Sequence, residues 1–174
     1  MANLFFHELF HATYYAPSSV DVNENLANFI ARKATLRFLK NDTAELTKFV
    51  NTMQDDSIYN TFVFKGYERL KKVYADLTPN PSPVGEGNKR GEVKGDNEKL
   101  ALKEKTLASI YRESFDVKLH YPKRYKEYNK QILFAKNSFF IDAHRYDGLS
   151  DSLNEVFNKK YGGDIKKMIA DLKK

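Results

Sequence analysis

The pentapeptide His7-Glu8-Leu9-Phe10-His11 sets two imidazoles four residues apart with a carboxylate beside the first. On a helix, residues four apart lie on one face, about one turn up the axis. His7 and His11 then aim at a common point, as a Zn²⁺ held at about 2.0–2.1 Å from each nitrogen requires. Glu8 projects to the side of that pair, where a carboxylate can take a proton from a metal-bound water. Chance also produces this pentapeptide, so a third ligand and a frame must come from elsewhere in the chain.

A catalytic zinc takes three protein ligands and keeps one position open. The chain has no cysteine, which leaves His, Asp, Glu and water as donors. The best candidate is Glu24, in Asn23-Glu24-Asn25-Leu26-Ala27, thirteen positions after His11 (24 − 11). A helix, a tight turn at Pro17 and a second helix starting near Asn23 bring Glu24 beside the histidines. Alone, Glu24 reads as a first-turn carboxylate stabilised by the helix dipole. Downstream of the two histidines it reads better as the third ligand.

The elements that must position these residues are helical. Helix one spans Ala2 to about Thr13 and, being apolar nearly all round, reads as buried. Pro17 and Ser18-Ser19 end it. A second helix runs from about Asn23 to Leu39 with Leu26, Phe29, Ile30 and Ala34 on one face. Asp42 reads as an N-cap with Glu45 as its capping-box partner, ahead of the stripe Leu46, Phe49, Val50, Met53. Asp55-Asp56-Ser57 reads as a break or a new cap, before an amphipathic stretch from Ile58 to Leu77. The Pro/Gly-rich residues 78–97 read as a flexible loop inserted into a helical hairpin, with no function of their own. Helix resumes from Glu98 to about Leu119 and from Lys123 to Ala143. Ser152 to Glu155 reads as a capping box, Gly162-Gly163 as a helix stop and Asp164 as the cap of the last helix, whose inner side carries Ile165, Met168, Ile169 and Leu172. Strand patterns are nearly absent, so the expectation is a predominantly helical, all-α fold in a single domain over residues 1–174.

Composition limits the partners. The 174 residues are 41% hydrophobic and 14% aromatic, enough for a real core. No window approaches the eighteen or so apolar residues of a membrane span, and Glu8 and the histidines interrupt the apolar start, so neither a membrane segment nor a signal peptide is expected. The compartment stays unknown. The formal net charge is +6. Lys118 to Tyr128 interleaves basic residues with tyrosines, a pattern that nucleic-acid-binding surfaces use. It reads better as an amphipathic helix with solvated Lys and Arg and tyrosines packing inward, and no nucleic-acid partner is expected.

His-Glu-x-x-His followed by Asn-Glu-x-x-Ala is the arrangement of the gluzincin metallopeptidases. More closely, His7 to Phe29, with Tyr15, Pro17, Asn23, Glu24, Ala27 and Phe29 in place, resembles the bacterial predicted aminopeptidase family. The hairpin from Leu70 to Leu107, the segment from Ala135 to Tyr146, Phe157 and Gly162-Gly163-Asp164 extend the likeness over most of the chain. The resemblance implies zinc on His7, His11 and Glu24, with Glu8 polarising the attacking water of a peptide hydrolysis. Tyr146, Tyr15 and His144 are candidates to stabilise the oxyanion, with Tyr146 preferred, and Asn28 is a candidate to orient a ligand from behind. Family members carry a sizeable segment before the zinc helix, so this chain resembles their C-terminal half. Loss of that segment implies a zinc site without activity as the alternative to an aminopeptidase, and exposed Leu4, Phe5 and Phe6 imply self-association.

Overall fold

A computed structural model describes residues 1–17, 19–76, 89–134, 139–140 and 149–173. Among these, all regular structure is helical: α1 (Ala2–His11), α2 (Val20–Phe38), α3 (Thr43–Asp76), α4 (Lys89–Glu113), a 3₁₀ turn (Pro122–Tyr125), α5 (Lys126–Phe134), α6 (Ser150–Tyr161) and α7 (Ile165–Leu172). The fold is all-α. By its contacts the chain divides into two compact units, Met1–Met53 with His144–Lys174, and Gln54–Ala143.

In the first unit α1 lies antiparallel on α2, as the pairings Asn3 with Thr35 and His7 with Asn28 require. Ala27, Ala31 and Thr35 face α1 and are fully buried. Side chains this small let the two helix axes approach closely. The other side of α2 turns Leu26, Phe29 and Ile30 into a core with Phe157 of α6 and Met168 of α7. Helix α1 is not buried all round: Phe10 is its one buried residue, while Leu4, Phe5 and Leu9 are half or more exposed and Phe6 packs edge-on against Phe38. A ten-residue helix against a single partner buries one stripe, whatever its remaining faces carry.

Asp42 caps α3, its Oδ1 accepting the Glu45 N–H at 3.1 Å. The helix then runs without interruption through Asp55-Asp56-Ser57. Asp55 points inward and is completely buried, accepting the backbone N–H groups of His120 and Tyr121 and pairing with the His120 ring, each at 2.8 Å. A carboxylate so satisfied has no need to cap a helix end. The core of the second unit joins Tyr59, Val63 and Leu70 of α3 to Leu107 and Ile110 of α4, with Tyr125, Ile132 and Phe140. Gly66 makes room for it, because a Cβ there would stand 3.2 Å from Ile110 and Phe140 side-chain carbons. Of the tyrosines expected to pack inward after Lys118, Tyr125 is buried but Tyr121 and Tyr128 are exposed.

Several ends differ from the sequence expectation. Helix α2 starts at Val20, which moves Glu24 into its second turn. Helix α4 starts at Lys89, inside the expected loop 78–97, whose residues up to 88 lie outside the described ones. It ends at Glu113, short of Leu119, where the Ser114 hydroxyl caps the Tyr111 carbonyl at 2.6 Å. Pro122 opens a 3₁₀ turn ahead of α5. Helix α6 begins at Ser150, so Ser152 sits inside it and caps nothing. Gly162 closes α6 with φ 59°, and Asp164 caps α7 through the N–H groups of Lys166 and Lys167, both as the residue types require.

Candidate metal centre

The link between α1 and α2 decides where Glu24 stands. After Phe10 accepts the N–H groups of Thr13 and Tyr14, the chain turns through Pro17. Asn23, itself 3% exposed, then clamps that turn: its Oδ1 accepts the Ala16 N–H at 2.7 Å and its amide donates to the Ala16 carbonyl at 2.9 Å. The next residue is Glu24. Its register against α1 is therefore fixed from the loop side by Asn23 and from the helix side by Ala27.

The result is a convergence. His7 Nε2 and His11 Nε2 are 3.0 Å apart, Glu24 Oε2 is 3.5 Å from the first and Glu24 Oε1 is 3.4 Å from the second. Among the described residues, these three are the one group of His and carboxylate donors close enough to share an ion, with ligating atoms within 4.8 Å of one another. Tetrahedral ligands about 2.0–2.1 Å from a zinc stand about 3.3–3.4 Å from each other. The observed separations bracket that edge length, so the donor set fits the ion in both chemistry and size. Side-chain exposures of 15–29% leave the cluster open to solvent on one side, as a site with a free position needs.

Asn28, one turn beyond Glu24, places Oδ1 3.0 Å from His7 Nδ1. A carbonyl oxygen accepts only, so the ring carries its proton on Nδ1 and leaves the Nε2 lone pair aimed at the cluster. Glu8 is exposed on α1, on the face between Leu4 and Leu9. Tyr15 lies exposed in the α1–α2 link, and Tyr146 and His144 fall outside the described residues. From the sequence Asn28 is a candidate to orient a ligand, while Asn23 figures only among the residues of the family resemblance. An Asn shortly after a proline turn is the signal for such a clamp, since its side chain pairs readily with loop backbone.

Comparison with curated proteins and with solved structures finds no match. Residues 1–174 match the family model described as "Putative aminopeptidase", and the chain belongs to that family.

Proposed function

We propose that the protein is a zinc-dependent metallopeptidase of aminopeptidase type, with His7, His11 and Glu24 holding the ion. The observation that carries this reading is the mutual spacing of three donors from two adjacent helices, supported by the family to which the chain belongs. When bound, zinc supplies Lewis acidity toward the scissile carbonyl and toward water. The chain's own residues do the rest. Asn28 fixes the His7 tautomer, Asn23 fixes the position of Glu24, and the Glu8 carboxylate takes the proton of the attacking water and delivers it to the leaving amine. Tyr146 is proposed as oxyanion donor. The exposed Leu4, Phe5 and Leu9 beside Glu8 favour a second reading, in which the chain binds zinc and self-associates without turning over peptides.

Hydrolysis of aminoacyl-p-nitroanilides and short peptides, with zinc content measured on the same protein, decides between them. The expected result is one zinc per chain and a chelator-sensitive turnover that Glu8→Gln lowers by about 10²–10⁴-fold. One zinc per chain without turnover establishes the second reading. A protein that takes up no zinc overturns both.

A further inference from the structure

The run from Lys118 to Tyr128 carries three tyrosines, and of these Tyr125 alone enters the core of the second unit. Tyr121 and Tyr128 face solvent at 36% and 48% exposure, so the ground for reading the run as a helix with inward tyrosines is gone. Nor is the run one helix: Lys118–Tyr121 is irregular, and a 3₁₀ turn leads into α5.

Both exposed rings are held in place from α3. Asp55 and Tyr59 stand four residues apart and therefore on neighbouring turns of one face. Asp55 accepts the Tyr121 N–H at 2.8 Å, and the His120 ring that it also holds lies 6.4 Å from the Tyr121 ring, centroid to centroid. The Tyr59 ring lies 4.6 Å from Tyr125 and 6.3 Å from Tyr128, and Tyr125 is 6.2 Å from Tyr128. Hydroxyl bonds fasten the two supporting rings: Tyr59 donates to Asn129 at 2.8 Å and Tyr125 to Asp56 at 2.5 Å. Each exposed ring thus has an anchored neighbour beside it and loses little further side-chain freedom when a flat partner stacks on it.

The cations around these rings are of two kinds. Lys130 pairs with Glu127 at 2.7 Å and Arg124 faces Asp56 at 3.6 Å. Lys118, Lys123 and Lys126 are exposed and form no ion pair among the described residues.

We infer that this face of the second unit binds single-stranded nucleic acid, with Tyr121 and Tyr128 stacking on bases and Lys118, Lys123 and Lys126 meeting phosphates. Interleaved cations and supported rings suit a strand whose phosphates and unpaired bases alternate along its length. A duplex keeps its bases stacked on each other and offers the tyrosines nothing along its side. An acidic peptide uses the lysines alone. A lipid surface favours a continuous apolar face, which Glu127 interrupts between Lys126 and Tyr128. The inference is independent of the metal reading, since every residue it uses lies in the second unit.

The test is fluorescence anisotropy of the full chain, with chelator present, against a labelled oligothymidylate of about fifteen nucleotides at about 0.15 M salt. A duplex of the same length and co-sedimentation with vesicles of phosphatidylglycerol and phosphatidylcholine supply the alternatives. Saturable binding of the single strand is expected, at least about tenfold tighter than the duplex. Tyr121→Leu and Tyr128→Leu, which keep apolar bulk and remove the ring, should each weaken it by about 5- to 100-fold. Lys118→Gln, Lys123→Gln and Lys126→Gln together should lower the slope of log affinity against log salt by about 2. Should Tyr128→Leu fail to fold, Tyr121→Leu and the comparison of strand with duplex on the native protein still decide. Absence of saturable binding, a duplex bound as tightly, vesicles captured in place of the strand, or affinity unchanged in a folded Tyr121→Leu or Tyr128→Leu variant overturns the inference.

Discussion

Asn28 Oδ1 and His7 Nδ1 stand 3.0 Å apart, across the α1–α2 contact and one turn from Glu24. This hydrogen bond fixes which ring nitrogen keeps a proton, and with it the direction of the His7 lone pair. Asn28→Ala is expected to weaken zinc affinity by about 10–100-fold, measured by competition with a chromophoric chelator. Asn28→Asp, which restores an acceptor at the same place, should recover most of the loss. Unchanged affinity in Asn28→Ala would leave the bond without a part in metal binding.

Asn23 tests the frame rather than the ligands. Its side chain meets both polar groups of Ala16 from a buried position. Asn23→Ala leaves those groups in search of water and should cost about 1–3 kcal/mol in stability. Because Glu24 is the next residue, zinc affinity should fall as well, although no ligand is altered. Urea denaturation and chelator competition on one variant read the two effects separately.

Zinc should stabilise the fold that holds it. A ligand at a hundred times its dissociation constant adds about 2.7 kcal/mol when the unfolded chain binds none. Circular dichroism melts with zinc should therefore exceed those with chelator. His11→Ala should abolish the difference while leaving the metal-free melt near that of the parent.

Asp55 predicts an acid-sensitive second unit. Burial by itself raises its pKa, but hydrogen bonds from the His120 N–H, the His120 ring and the Tyr121 N–H outweigh burial and hold the carboxyl below its usual range. A depressed pKa means stability that is present above the unfolded value, about 3.9, and is lost as pH falls through the folded one. Denaturation followed by tyrosine fluorescence should show Asp55→Asn well below the parent at pH 6. The two should converge below about pH 4. A constant gap across that range would mean that the Asp55 charge contributes nothing to stability.

The convergence of His7, His11 and Glu24 is legible in the sequence because helical spacing and a proline turn fix their geometry locally. So are the caps at Asp42, Gly162 and Asp164, where one side chain or one φ angle decides the outcome. The Asp55 position is not. Three polar residues in a row suggest a helix end, and only the His120–Tyr121 backbone, 65 residues away, makes a buried carboxylate cheaper than a break. The exposure of α1 was hidden for a related reason: apolar residues all round a helix say nothing about how many partners it meets. The bond from Lys33 to Asn154 depends on α6, more than a hundred residues downstream, and periodicity within α2 alone cannot find it.

His7, His11 and Glu24 lie within a segment whose ends are seventeen positions apart (24 − 7). Closing so short a segment costs little entropy, and contacts between neighbouring helices are the fastest kind to form. Phe157 and Met168, which complete the core behind α2, are made more than a hundred residues later, several seconds on at about 5–20 residues per second of synthesis. The order of manufacture thus brings His7, His11 and Glu24 together before α2 has its second cover. On the proposed zinc reading, ion capture is an early event in the life of the nascent chain, and the ion a nucleus on which the rest of the first unit condenses.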